Sequence, residues 1–148
     1  MDLRNFSVFI TYIVFIIFIV NIIRRYMRNR KNLKQNYYAQ ISETNQRYGT
    51  QFNPDDCLGY INTICLLFDP TARKICIISK GDKVSIEDFS YVREWELKWT
   101  ERPGSVFRYR NVQMVIHTND YQTPMIIVGL DSKASGDVWY SRLGILFA

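Results

Sequence analysis

The longest apolar run of the chain covers Phe6–Ile23, FSVFITYIVFIIFIVNII, and contains no charged residue. At about 1.5 Å per helical residue this run reaches roughly 27 Å, close to the hydrocarbon core of a bilayer. A signal peptide would have a shorter run and a small-residue cleavage site, but this run ends against Arg24 and Arg25. A buried helix of a soluble domain would need apolar partners on every side. The pattern therefore predicts an uncleaved transmembrane helix over 6–23, after a short extracytoplasmic N-terminus of residues 1–5.

Residues 24–56 are predominantly polar and are predicted to form a basic, partly helical juxtamembrane linker. Leu33, Tyr37 and Ile41 recur at helical spacing and give the linker a narrow apolar stripe. Such a stripe can lie on lipid headgroups, dock on the following domain or pair with a second copy of itself. Gly49 is predicted to end the helix, and residues 53–56, NPDD, to form a turn.

From Cys57 onwards the apolar positions follow the pattern of strands. Runs rich in β-branched and aromatic residues, separated by turn residues, predict six or seven antiparallel strands. The clear runs are Leu58–Phe68, Lys74–Ser79, Val84–Phe89, Arg93–Thr100, Val106–Thr118 and Pro124–Leu130. The turn at 80–83, KGDK, favours a hairpin. The parity of the apolar positions changes within 106–118, so we expect a bulge or a break near Arg110 and Asn111.

The end of the chain changes back to a helical period. A cap at Asp131 or Ser132 is predicted to begin an amphipathic helix. Its apolar face is formed by Trp139, Leu143, Leu146 and Phe147. A single helix with one apolar face after a run of strands predicts that the helix covers one end of the sheets.

The positive charge is concentrated beside the apolar run. The chain has a net charge of +5, but residues 48–148 hold 11 basic against 12 acidic residues. The predicted membrane-surface contacts are Arg24, Arg25, Arg28, Arg30, Lys31 and Lys34. The positive-inside rule then puts the N-terminus outside and the C-terminal domain in the cytoplasm. These six residues are expected to meet anionic lipid headgroups, and the near-neutral domain argues against a nucleic-acid partner.

The titratable residues form no catalytic or metal-binding pattern. Cys57, Cys65 and Cys76 are odd in number, lie outside Cys-x-x-Cys spacing and share the chain with one histidine, His117. We expect free thiols, with Cys65 and Cys76 in or near the core and His117 at a surface or rim position. No phosphate-binding loop or hydrolase motif is present. The sequence therefore predicts no catalytic, cofactor-binding or metal-binding residue, while a Cys-His pair that meets only in space stays open.

Charged residues within the predicted strands fit the solvated face of a sheet. This interpretation applies to Glu87, Asp88, Glu94, Glu96, Arg108 and Arg110. The first hairpins carry only four cations that could grip a phosphoinositide headgroup, namely Arg73, Lys74, Lys80 and Lys83. Neither group predicts a site by itself.

Several stretches of the sequence resemble a known family. They are LLFDPTARKICIIS, VSIEDFSYVREWELKW, the segment HTND followed by YQTP, and VWYSRLGILF. They are similar to uncharacterised bacterial membrane-anchored proteins with a C-terminal PH-like (pleckstrin-homology-like) domain. The resemblance covers roughly Leu58 to the end of the chain, and the predicted PH-like domain is residues 57–148. It implies an α+β protein in which a transmembrane helix precedes a PH-like half-open antiparallel β-barrel closed by one C-terminal helix. The similar stretches are structural, so the resemblance brings no binding residues.

These observations predict a binding module rather than an enzyme. The leading hypothesis is a single-pass protein of the bacterial inner membrane whose cytoplasmic PH-like domain binds an as yet unknown protein partner, as a scaffold or adaptor. The alternative is a module that senses anionic lipids through the basic cluster beside the span. An enzyme that uses a cysteine and His117 is the third hypothesis.

Overall fold

The computed structural model describes residues 3–81 and 83–148, with side chains from Val8 onwards. Met1 and Asp2 of the predicted N-terminal segment lie outside the described residues, as do the side chains of Phe6 and Ser7 in the predicted span. Asp82 of the predicted hairpin turn also lies outside them. The chain divides into two compact units, one up to Asn36 and one from Tyr37 to Ala148.

The first unit consists of helix α1, Leu3–Tyr48, up to Asn36. Its apolar part is exposed from Val8 to Ile23, and an 18-residue window of the helix has a mean hydropathy of 2.1. By length and composition this helix can cross a membrane. The helix continues through most of the predicted linker, since it ends at Tyr48. Gly49, with a φ of 64°, follows it as the predicted stop.

The second unit contains two antiparallel sheets and a C-terminal helix, so the chain has an α+β fold. The strands are β1 Leu58–Gly59, β2 Cys65–Asp69, β3 Lys74–Ser79, β4 Lys83–Asp88, β5 Val92–Glu101, β6 Tyr109–Thr118 and β7 Met125–Gly129. The first sheet has the order β1-β2-β3-β4 and the second has the order β5-β6-β7. A short 3₁₀ helix, Phe89–Tyr91, connects the sheets, and helix α2, Lys133–Leu146, follows β7. Each strand runs antiparallel to its sequence neighbour within the sheet.

The prediction of one strand over Leu58–Phe68 was wrong. The chain turns back on itself after β1, because the Tyr60 amide donates to the Ile64 carbonyl at 3.1 Å. Gly59 makes this turn possible: its φ is +107°, and a Cβ there would lie 2.3 Å from the Ile64 oxygen. The apolar residues of the run satisfied a strand pattern on both sides of the turn, so composition alone did not reveal the break.

The main core lies between the two sheets and beneath α2. The first sheet contributes Leu58, Leu66, Ile75 and Ile77, the second contributes Met114, Ile116, Ile126 and Val128, and α2 contributes Leu143. The Ser132 hydroxyl accepts a hydrogen bond from the Ser135 amide at 3.1 Å, so Ser132 is the cap of α2. Trp139, Leu146 and Phe147 pack against the same core, which confirms the predicted apolar face of the helix.

A second core covers the opposite face of the first sheet. Cys65, Leu67, Cys76 and Ile78 share that face, and they pack with Phe52 and with Tyr37 and Ile41 of α1. The last turns of α1 therefore belong to the second compact unit, which begins at Tyr37. The start of the PH-like domain at residue 57 stays a prediction. Of the three roles considered for the apolar stripe, Tyr37 and Ile41 take the docking role, and Leu33 in the first unit is exposed.

The second sheet contains the predicted irregularity. Lys98 pairs with Gln113 and Thr100 pairs with Arg110, so β6 has one more residue than β5 between these two pairs. Asn111, which lies in this interval, has a φ of 50°. Asparagine tolerates this left-handed conformation better than most side chains. A second register shift makes Arg93 an extra residue on β5. The predicted bulge near Arg110 and Asn111 is confirmed, but β6 begins at Tyr109, so Val106 and Phe107 lie in the preceding loop.

Candidate functional site

A cavity of about 580 Å³ opens at the corner where the chain passes from the first sheet to the second. β4 ends there at Asp88 and β5 begins at Val92, and the two strands belong to different sheets. Among the described strands no ladder joins β4 to β5 at this corner, which leaves room for a cavity. The lining consists of Arg73, Asp88, Phe89, Ser90, Val92, Arg93, Trp95 and Phe147. The volume is within the range of known ligand pockets.

The floor of the cavity is aromatic. The rings of Phe89 and Phe147 are 4.7 Å apart, and those of Trp95 and Phe147 are 5.3 Å apart. Phe147 follows the last turn of α2, so three separate elements of the fold meet in this cluster. Such ring pairs add to the stability gained by burying their apolar area. The floor therefore presents an apolar surface.

Two arginines line the same cavity. The Arg73 guanidinium lies 5.2 Å from the centre of the Phe89 ring. The backbone carbonyl of Arg73 accepts a hydrogen bond from the Phe89 amide at 3.0 Å. Arg73 also has a φ of 52°, a conformation that costs energy outside glycine. Arg93 occupies the bulge position two residues before Trp95. The backbone therefore fixes the position from which each arginine side chain extends.

The charges of the cavity are unbalanced. Asp88 already forms an ion pair with Lys74 at 2.7 Å. Among the side chains that the structure describes, no carboxylate lies within ion-pair distance of Arg73 or Arg93. By contrast, Arg108 is paired with Glu101 and Arg142 with Asp56. The cavity therefore presents uncompensated positive charge above an aromatic floor.

The loop between β6 and β7 holds the corner in place. The Asn119 side-chain amide donates to the Ser90 carbonyl at 2.5 Å, and the Asn119 backbone amide donates to the Tyr91 carbonyl at 2.9 Å. Thr118 is buried, and its hydroxyl donates to the Thr123 carbonyl. The HTND segment thus positions the 3₁₀ helix that forms one wall of the cavity.

The six basic residues predicted to contact the membrane surface lie on α1 in the first unit. They are Arg24, Arg25, Arg28, Arg30, Lys31 and Lys34, and all of them are exposed. They occupy about three turns of helix, so their side chains project around the helix rather than along one face. Their role in lipid contact stays a prediction.

The cysteines are free thiols of unequal character. The Tyr37 hydroxyl lies 3.5 Å from the Cys65 sulfur and donates to the Pro54 carbonyl at 3.0 Å. A hydrogen bond from Cys65 lowers the pKa of the half-buried Cys57 thiol to about 7, although burial opposes this shift. The hydrogen bond to Cys57, together with burial, raises the pKa of Cys65. Burial raises the pKa of Cys76 to about 12.

His117 lies apart from this thiol cluster. Its Nε2 is 3.1 Å from an oxygen of Glu96, on the outer face of the second sheet, and it is partly exposed as predicted. Within the described part of the chain no hydrogen bond joins a cysteine to His117. No group of three or more metal-ligating side chains occurs among the described residues either.

Sequence reasoning missed this cavity. It assigned Phe147 to the core, placed Arg73 among the hairpin cations and gave Arg93 no role. One signal was present, since Arg93 has the same strand parity as Trp95 and Leu97, which face the core. A charged residue at a strand position that alternation assigns to the core-facing side indicates either a bulge or a cavity. The contribution of Phe89 depends on the corner between the sheets, which the local pattern does not encode.

Comparisons with known proteins give the chain no assigned family. No protein-family model matches it, and neither the curated proteins nor the solved structures contain a significant match.

Proposed function

We propose that this chain is a single-pass membrane-anchored PH-like interaction module that binds a protein partner. In this proposal α1 crosses the bacterial inner membrane, with the N-terminus outside and residues 37–148 in the cytoplasm. The partner contributes an extended segment that adds to the outer edge of β4. The module has no catalytic role in this account.

The membrane part of the proposal is supported by the composition of α1. Its exposed apolar stretch is followed directly by six cations, which is the arrangement expected at the cytoplasmic end of a span. The PH-like assignment is supported by the order of elements. A four-stranded and a three-stranded antiparallel sheet, followed by one helix that packs on the shared core, agree with what the family resemblance implies.

The observation that carries the binding role is the free edge of β4. β4 pairs with β3 on one side, and no described strand pairs with its other side. Lys83 and Ser85 on this strand are exposed. An unpaired edge offers a row of backbone donors and acceptors to an incoming extended segment. The edge also leads to the cavity, because Asp88 at the end of β4 is part of the cavity lining.

Site-specific photocrosslinking in intact membranes tests the binding role. A crosslinking residue at Ser85 on β4 should give one or a few discrete protein adducts. The same residue at Ser141, which is exposed on α2, is the matched control and should not give those adducts. Identical adduct patterns from both positions would contradict binding at β4. Digestion of a C-terminal tag by protease added outside spheroplasts would contradict the orientation.

Lipid sensing by the basic cluster is the second candidate, and the exposure of all six cations favours it. We would extract the full chain in mild detergent and identify the copurified lipids by mass spectrometry. Replacing all six cations with glutamine should remove any enrichment of anionic lipids if the cluster recognises them. Equal lipid profiles for the parent and the variant would leave the cluster with a role in topology alone.

A further inference from the structure

We propose that the cavity at the sheet corner binds an acidic peptide segment in which a carboxylate lies beside a large apolar side chain. The carboxylate would interact with Arg73 and Arg93, and the apolar side chain would rest on the aromatic floor. This inference rests on the proposed function, because the segment is the continuation of the strand added to β4.

The preference for an acidic group follows from the charges around the cavity. The arginines of the cavity have no carboxylate partner among the described side chains, whereas Arg108 and Arg142 each have one. Among the described residues of the lining Asp88 alone is acidic, and it forms an ion pair with Lys74. A guanidinium beside low-dielectric rings is a strong site for a carboxylate, because each hydrogen bond between them is charge-assisted.

The preference for an apolar neighbour follows from the floor. Phe89, Trp95 and Phe147 form tilted ring contacts at the base of the cavity. Phe89 is buried, but Trp95 and Phe147 are partly exposed, and a wholly polar ligand such as an inositol phosphate would leave their exposed parts without an apolar partner. An aromatic or large aliphatic side chain removes their surface from water and gains binding free energy in proportion to the apolar area covered.

Arg73 is arranged in advance for this role. Its carbonyl is held by the Phe89 amide and its guanidinium lies over the Phe89 ring. The left-handed φ of 52° at this residue is maintained by the surrounding turn, in which Asp69 accepts hydrogen bonds from the Thr71 and Ala72 amides at 3.0 Å. A side chain that is already ordered loses less conformational entropy when a ligand binds.

Extended peptides also fit the geometry of the approach. β4 runs from Lys83 to Asp88, so a segment paired with its outer edge reaches the cavity at one of its own ends. Alternate side chains of an added strand face the same side, so only some of its positions can enter the cavity. The recognised feature is therefore expected within two or three residues, not spread along the whole segment.

The experiment uses the full chain in detergent micelles and a random library of nonapeptides, each with a free C-terminus, displayed on beads. Peptides retained by the chain are sequenced and compared with the input. Retained peptides should be enriched in Glu or Asp within two residues of an aromatic or large aliphatic residue. Enrichment at the last position would identify a C-terminal carboxylate as the source, and enrichment inside the peptide would identify a side chain.

Two variants test the assigned residues. Arg93→Gln and Arg73→Asn, the latter chosen because asparagine tolerates the left-handed φ, should each weaken a retained acidic peptide by about tenfold. The same peptide with Gln in place of its acidic residue should bind the parent and the variants with affinities that differ by no more than about twofold, if each arginine recognises the charge. Arg102→Gln removes an exposed arginine outside the cavity and should change the affinity for neither peptide. Unchanged melting temperatures establish that the variants are folded.

Several results would overturn the inference. The inference is contradicted if no residue type is enriched, or if apolar residues alone are enriched. It is also contradicted if the folded variants lose equal affinity for the acidic peptide and for its Gln counterpart. Displacement of the retained peptides by vesicles of anionic phosphatidylglycerol, but not by vesicles of phosphatidylcholine, would identify a lipid surface instead. If any of these results occurs while Ser85 still gives specific adducts, the cavity assignment fails and the binding module stands. Loss of the adducts would instead contradict the module itself.

Discussion

Arg142 of α2 donates hydrogen bonds from both terminal nitrogens to the two carboxylate oxygens of Asp56. Its guanidinium also lies 4.6 Å from the centre of the Trp139 ring. The pair joins α2 to the turn that precedes β1, across 86 residues of sequence. Two-point geometry makes this pair stronger than most surface ion pairs, although partial exposure weakens it.

A double-mutant cycle on this pair should show coupling. Asp56→Asn and Arg142→Gln are each expected to lower the free energy of unfolding by about 1 kcal/mol, and the double variant by less than the sum. The measurement is urea denaturation of the full chain in detergent. The matched control is the exposed pair Glu101 and Arg108, for which we expect no measurable coupling. Equal coupling in the two pairs would contradict the argument.

Two glycines of α2 should respond in opposite ways to alanine. Gly136→Ala would place a Cβ 2.6 Å from Leu97 Cδ1 and 3.3 Å from Leu130 Cδ1, so the helix or these side chains must move. The gain in helix propensity does not offset the overlap, and we expect a net loss of about 1 kcal/mol in unfolding free energy.

Gly144→Ala is the control for that substitution, because no described heavy atom lies within 4 Å of the Cβ it adds. Alanine should stabilise the chain there by about 0.5 kcal/mol. Thermal unfolding of the two variants gives the comparison. Melting-temperature shifts of the same sign in both variants would show that α2 does not approach β5 as closely as described.

Cys57 should be the reactive thiol of the chain. Its pKa of about 7 lies below the ordinary value of 9.0, so its alkylation by iodoacetamide should rise with pH around a midpoint near 7. Cys76, with a pKa of about 12, should stay unreactive at that pH. Between pH 7 and 9 the unfolded chain binds more protons at Cys57 than the folded chain does. This group therefore makes the unfolding free energy rise with pH in that window.

Variants of Cys65 test the cause of the shift. Cys65→Ala removes the hydrogen-bond donor to Cys57, so the midpoint of alkylation should move up towards 9.0. Cys65→Ser keeps a donor at that position and should retain a midpoint nearer 7. If both variants leave the midpoint unchanged, another interaction sets the pKa of Cys57. Mass spectrometry of alkylated peptides identifies which thiol has reacted.

The end of α1 should be required for the stability of the sheets. A chain that begins at Tyr37 keeps the cover over Cys65, Leu67 and Ile78, and a chain that begins at Tyr48 loses it. We expect the shorter chain to lose about 3–6 kcal/mol of unfolding free energy, because two large buried side chains are removed. Urea denaturation measures the difference.

A chain that begins at Asn32 is the control for this truncation. It adds only exposed residues to the chain that begins at Tyr37, so the two should unfold at the same urea concentration. If the chain from Tyr48 is as stable as either of them, the packing of Tyr37 and Ile41 contributes nothing. Aggregation of the chain from Tyr48 alone would agree with exposure of the second core.

The sequence predicted the elements that depend on local chemistry. Gly49 ends α1, Ser132 begins α2, and the parity change before Val112 produces the bulge at Asn111. Each of these features follows from a preference of one residue or from side-chain alternation over a few positions. Such preferences act within a few residues of the position they affect, so they are readable from the sequence.

The features that depend on distant contacts were not predictable in this way. The apolar stripe at Tyr37 and Ile41 was visible, but its partner was not, since Cys65 and Cys76 lie in separate strands. The cavity likewise joins a turn of the first sheet to a bulge of the second. Arg73 and Arg93 come together only through the sheet corner, and no local pattern specifies that corner.

The double coverage of the first sheet determines which substitutions the protein can accept. Strands with one wet face tolerate polar residues at every other position, as β5 does at Glu94, Glu96 and Lys98. Residues 65–67 and 75–78 have no wet face, because the sheet core lies on one side and the end of α1 on the other. A saturation mutagenesis profile of these two strands should therefore show continuous intolerance, without the every-second-residue rhythm expected in β5.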